Sequence, residues 1–348
     1  MRILVAMSGG VDSSVAAALL RDDGHDVVGA TMKLWGGPSD SGCCSLSDVE
    51  DARSVARMLG IDHHVFNFTD EFESSVVGHY ADAHASGRTP NPCVECNRHL
   101  KFGSFLDRAL RLGFDAIATG HHARVTAGDG RHRLTRARDA AKDQSYVLSM
   151  LTQRELTLLR CPVGEMTKAE VRERAVALGL RTAAKPDSQD VCFIRSATDG
   201  AARRDFLAER IPLHAGRAID ATTGEDVGRI PAVELVTIGQ RRGLGALKGA
   251  NGERRYALAV DTASGTVTVG DESQFLTGEL VVAGWTWTSV AVGEGAPVLV
   301  QSSAHGRARP GVLRANSVAL DEPSKRVAAG QTLALYQGDE VVGSGIAA

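Results

Sequence analysis

Met7-Ser8-Gly9-Gly10-Val11-Asp12-Ser13-Ser14 follows an apolar run at residues 2–7 and opens a stretch of helical spacing from about 13 to 23. At a strand-to-helix turn a glycine pair lets backbone amides point inward, serine hydroxyls add donors, and the helix start adds partial positive charge. The combination suits a bound anion, and an ordinary glycine-rich βα turn is the alternative. The chain contains neither G-x-x-x-x-G-K-[ST] nor G-x-G-x-x-G, so a Walker loop and a dinucleotide fingerprint are both excluded. Outward from the loop, apolar runs at 27–32 and 61–68 alternate with a helical segment at 47–59. With 2–7 and 13–23 they read as βαβαβ, a parallel doubly wound sheet.

Further strand and helix candidates lie at 114–119, 145–159 and 168–178, and Ser47 with Glu50 and Thr167 with Glu170 are spaced as capping boxes. Beyond about residue 212 the pattern changes to short β-branched runs bounded by glycine, at 233–238, 256–260, 266–269, 280–287 and 333–336. A break near 270–278 divides them. The expected architecture is therefore α/β: a doubly wound catalytic domain over 1–211, a small β-rich middle domain over 212–275, and a C-terminal β-barrel over 276–348.

With 348 residues, 43% of them hydrophobic and 23% charged, the chain has ample material for buried cores, which excludes a wholly disordered protein. Its 39 Lys+Arg against 42 Asp+Glu leave a formal charge of −3. That excludes a polycationic nucleic-acid binder, so RNA contacts would rest on local patches such as residues 131–138, Arg203-Arg204, Arg241-Arg242 and Arg254-Arg255. No apolar stretch reaches the roughly 18 residues of a membrane span, and the first run is too short for a signal-peptide core, so no membrane association and a cytoplasmic location are expected. In that compartment Cys43, Cys44, Cys93, Cys96, Cys161 and Cys192 are expected as metal, catalytic or core residues rather than structural disulfides.

Thr89-Pro90-Asn91-Pro92-Cys93-Val94-Glu95-Cys96-Asn97 contains a C-x-x-C. A zinc ribbon needs a second such pair, for which Cys43-Cys44 is a poor substitute. A nucleobase deaminase needs an upstream H-x-E, which is absent.

The S-G-G-x-D-S loop resembles the PP-loop of the ATP pyrophosphatases, which split ATP between its α and β phosphates and adenylate a substrate. Several blocks in one order then resemble the tRNA-specific 2-thiouridylase family: residues 7–14, 87–92, Cys96-Asn97 with Lys101-Phe102, 118–121, 142–146, 162–165, Cys192-Phe193-Ile194 and 239–245. The resemblance is close over about the first 260 residues and looser beyond them. It implies ATP-dependent 2-thiolation of the wobble uridine (position 34) of tRNA, releasing AMP and pyrophosphate. The chemistry is consistent: exchanging O2 of uridine for sulfur needs an activated carbonyl carbon, which adenylation supplies, and a sulfur nucleophile, which a cysteine thiolate supplies.

By resemblance, ATP is bound by Ala6, Met7, Ser8, Gly9, Gly10, Val11, Asp12, Ser13, Met32 and Gly120, with Ser14 joining the pyrophosphate site. Met32 would pack on adenine and Gly120 would let the nucleotide approach the backbone, core and turn roles being the alternatives. Asp12 would hold Mg²⁺. Cys96 is implied as nucleophile and Cys192 as persulfide carrier, with a transient disulfide between them. Asn91, Pro92 and Cys93 would lie near the target base, His121, Lys142, Asp143 and Gln144 near the anticodon loop, and Arg307, Ala308 and Gln331 on the barrel. Two departures stand out: Cys93 replaces a common aspartate, and Ala308 replaces a usual tyrosine. An iron-sulfur cluster on Cys93, Cys96 and Cys192 is an alternative to the favoured persulfide relay; Cys43, Cys44 and Cys161 default to structural roles. Implied partners are tRNAs for Lys, Glu and Gln and a cysteine desulfurase or sulfur-relay protein. The competing functions are a PP-loop amide-forming ligase, an iron-sulfur-dependent tRNA thiolase, and a nucleotide-binding module without catalysis.

Overall fold

A computed structural model describes residues 1–34, 45–187, 191–194, 200–244 and 254–348. Cys43, Cys44, Ser188, Gln189, Asp190 and Gly245 lie outside the described residues. The chain opens β1 (Arg2–Ala6), α1 (Val11–Asp22), β2 (Asp26–Lys33), α2 (Leu46–Leu59) and β3 (His63–Asn67). After a helical stretch come β4 (Ala116–Ala118), a hairpin of β5 (Arg124–Gly128) and β6 (Arg131–Thr135), and the short β7 (Leu159–Arg160). The first sheet is parallel with order β3-β2-β1-β4-β7. Ile3, Leu4 and Val5 are fully buried, because helices cover both faces of this sheet. Ala16, Ala17 and Ala18 of α1 are good helix formers whose small side chains let the helix lie close to the strands.

The expected Ser47–Glu50 capping box is corrected by the structure. Helix α2 is capped two residues earlier, by Ser45 and Asp48, each side chain reaching the other's backbone amide. The sequence offers both registers; the earlier one also gives Asp48 an ion pair with Lys185 at 2.6 Å. The box at Thr167 and Glu170 forms as expected.

The run at 233–238, expected as a strand, is a 3₁₀ turn at Val233–Leu235. Its buried valines, Val233 and Val236, are three residues apart, a turn spacing rather than strand alternation. Between them the buried Glu234 carboxylate accepts from the His214 backbone amide and ring Nδ1 at 3.0 and 2.8 Å. The middle sheet is built of β8 (Gly216–Asp220), β9 (Asp226–Ile230), β10 (Tyr256–Asp261) and β11 (Thr266–Gly270) in the order β10-β11-β8-β9.

At the C-terminus β12 (Leu276–Trp287), β13 (Pro297–Gln301), β14 (Arg309–Arg314), β15 (Ser317–Lys325), β16 (Thr332–Gln337) and β17 (Glu340–Ala347) run β12-β15-β14-β13-β16-β17 and close through β12–β17 pairing. Strand β6 adds to β17, so a hairpin of the first domain extends the barrel sheet. The arginines at 131–138 are consequently engaged within the protein: Arg131 and Arg133 with Glu340, Arg136 with Asp143, Arg138 with Glu170. The fully buried Tyr146 and Tyr336 seal the junction, Tyr146 donating to the Thr332 carbonyl at 3.0 Å and Tyr336 lying 3.2 Å from the Ser145 hydroxyl.

His84 joins the first domain to the middle one, its Nδ1–H donating to the Glu234 carbonyl at 3.0 Å. Its buried Nε2 has no acceptor or donor among the described residues, so protonation there would strand an N–H. Burial pushes the pKa of His84 and of His63 down to about 4. Such histidines take up protons on unfolding, so stability is unaffected above about pH 6.5 and is lost as pH falls toward 4, by up to ~1.4 kcal/mol per pH unit for each group. Denaturant melts at about pH 7 and pH 5 should show this loss, and His84→Gln should flatten it. An unchanged slope in the variant would contradict the assignment.

Candidate active site

Strands β1 and β4 are neighbours from which the chain leaves in opposite directions, the switch point where doubly wound sheets bind ligands beyond the strand ends. Residues 8–14 and 119–122 meet there. Gly9 has φ of +72°, and a Cβ on it would lie 2.3 Å from the Asp48 carbonyl oxygen, so only glycine fits the turn. Gly10 is the N-cap of helix α1 and offers no side-chain cap, so no capping side chain occupies the first amides of the helix. Ser13 and Ser14 hydroxyls donate back to the Gly10 carbonyl at 3.2 and 2.8 Å, and the Ser8 amide donates to Ser13 Oγ. Ala6, Met7 and Val11 are buried beneath the loop, and Met32 lies in the core at the end of β2.

Gly120 is required by a close approach within the chain itself, whatever the nucleotide does there. A Cβ there would stand 2.5 Å from the Ser13 amide nitrogen and 2.7 Å from the Asp12 carbonyl carbon, against the loop's own backbone. Gly120→Ala must displace the loop, a strain of about 1–3 kcal/mol. ATP affinity by equilibrium dialysis should fall by about tenfold or more, and wild-type affinity in the variant would contradict this.

Asp12 faces a cationic cluster. Lys168 Nζ donates to both carboxylate oxygens at 2.8 and 2.7 Å, and His122 Nε2 lies 3.1 Å away. Burial acts to raise the Asp12 pKa, but the hydrogen bonds from His122 and Lys168 outweigh it and hold the carboxyl below its ordinary value. Lys168 also reaches Asp187 at 2.9 Å, which Lys142 and Arg172 share at the same distance. Asp187 is brought down to about 2, burial opposing the shift and the bonds from Lys142 and Lys168 prevailing. Lys185 Nζ contacts the Gly9 carbonyl at 3.1 Å and pairs with Asp48 and Asp51. Lys168, Lys185, Asp187 and His122 were not singled out by the motifs. One signal was available: Lys168 occupies the first turn of the helix Lys168–Ala177, where a cation opposes the helix dipole and needs another reason to be there.

Asn91 caps the helix Pro92–Glu95, accepting from the Cys93 and Val94 amides, and the turn continues into a wide helical segment, Cys96–Phe105. Cys93, Cys96 and Cys192 are half-buried. Cys96 and Cys192, 96 residues apart in the chain, pack against the same core, which includes Phe102, Leu148 and Phe193. Phe193 anchors the Cys192 segment among Phe72, Tyr80 and Phe206, with ring centroids 5.8, 5.6 and 5.2 Å away. Val191 holds φ of +55°, a costly conformation for a β-branched residue, immediately before Cys192. Among the described residues no group of three His, Cys, Asp or Glu side chains is gathered closely enough to hold a metal ion.

The other predicted RNA residues are placed as follows. His121 is buried, with Nδ1 2.8 Å from the Thr119 hydroxyl, and burial drives its pKa well down. Gln144 is bonded both ways to the His122 backbone, and Asp143 accepts from Arg136, Ser145 and the Ala137 amide. Ala308 lines a cavity of about 360 Å³ with Arg136, Asp143 and Gln301, so the barrel loop 307–308 faces the 140–143 turn. Gln331 donates to the Thr89 carbonyl at 2.7 Å, tying the barrel to the segment that carries Asn91 to Cys96. Cys161 is a core residue whose thiol burial pushes up to about 12.

A parallel sheet with an anion-binding loop at its switch point and a lysine cluster around that loop defines a nucleotide-binding α/β enzyme of the HUP type with two β domains appended. Family models agree with that division: a tRNA methyl transferase HUP domain over residues 1–196, a tRNA methyl transferase PRC-barrel domain over 204–271 and an aminomethyltransferase beta-barrel domain over 300–347. The tRNA-specific 2-thiouridylase MnmA of Mycolicibacterium vanbaalenii is 46% identical over 99% of this chain and 98% of its own length. Its counterparts in Frankia casuarinae and Roseiflexus are 44% identical over the same shares. The chain belongs to the tRNA-specific 2-thiouridylase family. Among solved structures, a 4-thiouridine synthetase–RNA complex with bound ATP aligns over 60% of this chain and 50% of that chain, with TM-score 0.37 and 18% identity.

Proposed function

We propose that the protein forms 2-thiouridine at the wobble position of tRNA, as a tRNA-uridine 2-sulfurtransferase using ATP. The observation that carries this is the uncapped glycine-rich loop with Lys168 and Lys185 around it, in a chain of this family. The uridine O2 attacks the α-phosphorus of ATP, pyrophosphate leaves, and the O2–AMP ester makes C2 electrophilic. A persulfide on Cys192 carries the sulfur, obtained from a cysteine desulfurase or relay protein. With Cys96 thiolate attacking the inner sulfur of that persulfide, the terminal sulfur adds to C2 as AMP departs, and a Cys96–Cys192 disulfide remains for an external thiol to reduce.

The loop amides, Ser8, Ser13 and Ser14 bind phosphate oxygens, and Lys168 and Lys185 offset their charge. Met32 and Gly120 border the nucleotide. Mg²⁺ is commonly held by one or two carboxylates together with substrate phosphates, and Asp12, kept ionised at the loop, fits that role. When bound, the ion would neutralise charge on the leaving pyrophosphate. Asn91, Pro92 and Cys93 face the target base, while Lys142, Asp143, Gln144, His121, Arg307, Ala308 and Gln331 belong to the surface or supporting layer for the anticodon arm of tRNAs for Lys, Glu and Gln. Among the described residues no helix is long and apolar enough to cross a membrane, and a cytoplasmic site of action is part of the proposal.

The test is AMP and pyrophosphate release from ATP with a tRNA transcript carrying U34, a transcript with C34, and no RNA. Release should require U34. Release driven by glutamine or ammonia without RNA would indicate an amide-forming ligase instead.

A further inference from the structure

We propose that Tyr146 is a positioning residue for the turn that carries Cys93 and Cys96, holding that turn in register with the barrel; its place in catalysis rests on the sulfur-transfer role proposed above. The turn begins at Asn91, whose Oδ1 accepts from the Cys93 and Val94 amides at 3.0 and 3.3 Å. A side-chain amide has one oxygen acceptor and one NH₂ donor, so with Oδ1 engaged the group left to bond elsewhere is the NH₂. The Asn91 side chain is hydrogen-bonded to the Tyr146 hydroxyl, which donates its own proton to the Thr332 carbonyl at 3.0 Å. A carbonyl can only accept, so the polarity of the series is fixed: Asn91 Nδ2–H donates to Tyr146 Oη, and Tyr146 Oη–H donates to the backbone of β16. Tyr146 is fully buried, and burial drives its pKa far above the ordinary value. The hydroxyl therefore stays neutral and acts as a fixed support, not as an acid or base.

The 3₁₀ turn Ser145–Leu148, which bears Tyr146, also grips the other end of the cysteine turn. Asn97 follows Cys96 directly and is only 2% exposed, and its Nδ2 donates to the Val147 carbonyl at 3.1 Å. Two adjacent residues, Tyr146 and Val147, thus hold Asn91 and Asn97, one on either side of Cys93 and Cys96. The barrel adds a third tie just ahead of Asn91. The Thr89 amide donates to the Ala329 carbonyl at 2.8 Å, and the Thr89 carbonyl accepts from Gln331 Nε2 at 2.7 Å. The partners of the Tyr146 hydroxyl lie in the cysteine turn and the barrel, while the phosphate loop is held by other contacts. Removing that hydroxyl should disturb sulfur transfer and spare nucleotide binding.

The experiment compares the full-length wild type with Tyr146→Phe, which removes only the hydroxyl, and Asn97→Ala, which cuts the tie at the other end. Iodoacetamide alkylation of each cysteine is followed by peptide mass spectrometry, and α,β-methylene-ATP affinity is measured by equilibrium dialysis. The rate of 2-thiouridine formation is taken from a single turnover of persulfide-charged enzyme. In both variants Cys93 and Cys96 should react about fivefold faster, the change expected when one hydrogen bond no longer opposes local opening. Cys161, Cys192 and the analogue affinity should not change, and thiolation should slow by about tenfold or more, as misplaced reacting groups require. Acceleration shared by Cys161 and Cys192 is general loosening and overturns the proposal, as do unchanged rates at Cys93 and Cys96 or unchanged thiolation. If one variant does not fold the other carries the test, and if neither folds the contacts are structural and the proposal falls. A wild type that makes no 2-thiouridine, with Cys93 and Cys96 still responding as described, removes the proposed function and leaves the positioning of the turn intact.

Discussion

Cys192→Ser is expected to abolish 2-thiouridine formation while leaving U34-dependent release of pyrophosphate. A serine hydroxyl cannot carry a persulfide, and no neighbouring group can replace the lost sulfur, so the fall should exceed about a thousandfold, the scale for removal of a covalent catalyst. Cys192 is half-buried and its segment is anchored by Phe193, so an exchange of sulfur for oxygen leaves the packing in place. Cys96→Ser should lose thiolation equally but should still accumulate a persulfide on Cys192, visible as a 32-dalton gain in the intact mass (the mass of one sulfur atom, about 32). A Cys192→Ser enzyme that thiolates tRNA would refute the relay.

Asp12→Asn should reduce ATP-to-AMP turnover by about a hundredfold or more, the size of effect seen when one preorganised charge is removed from a reacting phosphate or oxyanion. Asparagine keeps the shape and still accepts a hydrogen bond, but it carries no charge for Lys168 or for a metal ion. The residue is in the first turn of α1 and is partly exposed, so the fold should survive. Circular dichroism and a nucleotide-independent melt would establish that. AMP release near the wild-type rate from a folded variant would remove Asp12 from the mechanism.

The phosphate loop was legible because its signal is local: seven consecutive residues place two glycines, three serines and a carboxylate at one strand-to-helix turn. The parallel first domain, the β-rich middle and the barrel were legible from periodicity, and all three appear in the structure. What surrounds the loop was not legible. Lys168 and Lys185 reach Asp12 and Asp48 across 156 and 137 residues, and no local pattern announces an ion pair at that separation.

Strand β6 falls in the basic patch at 131–138 because only Leu134 of Arg131-His132-Arg133-Leu134-Thr135 is buried, too little alternation to mark a strand. Its partners are Glu340 and the β17 backbone, again distant in sequence. Gly120 is implied by resemblance as a place where the nucleotide nears the backbone; the loop backbone of Asp12 and Ser13 also comes against it, a contact that no local pattern announces.

The central claim is that this chain uses ATP to place sulfur on C2 of the wobble uridine. The most direct test combines the purified protein with Mg·ATP, a cysteine desulfurase, cysteine and a U34 tRNA transcript, then digests the RNA and measures nucleosides by mass spectrometry alongside AMP. Formation of 2-thiouridine at position 34 in step with AMP, and none without ATP, is the predicted result. Steady AMP production with position 34 remaining plain uridine, or thiolation that proceeds without ATP, would contradict it.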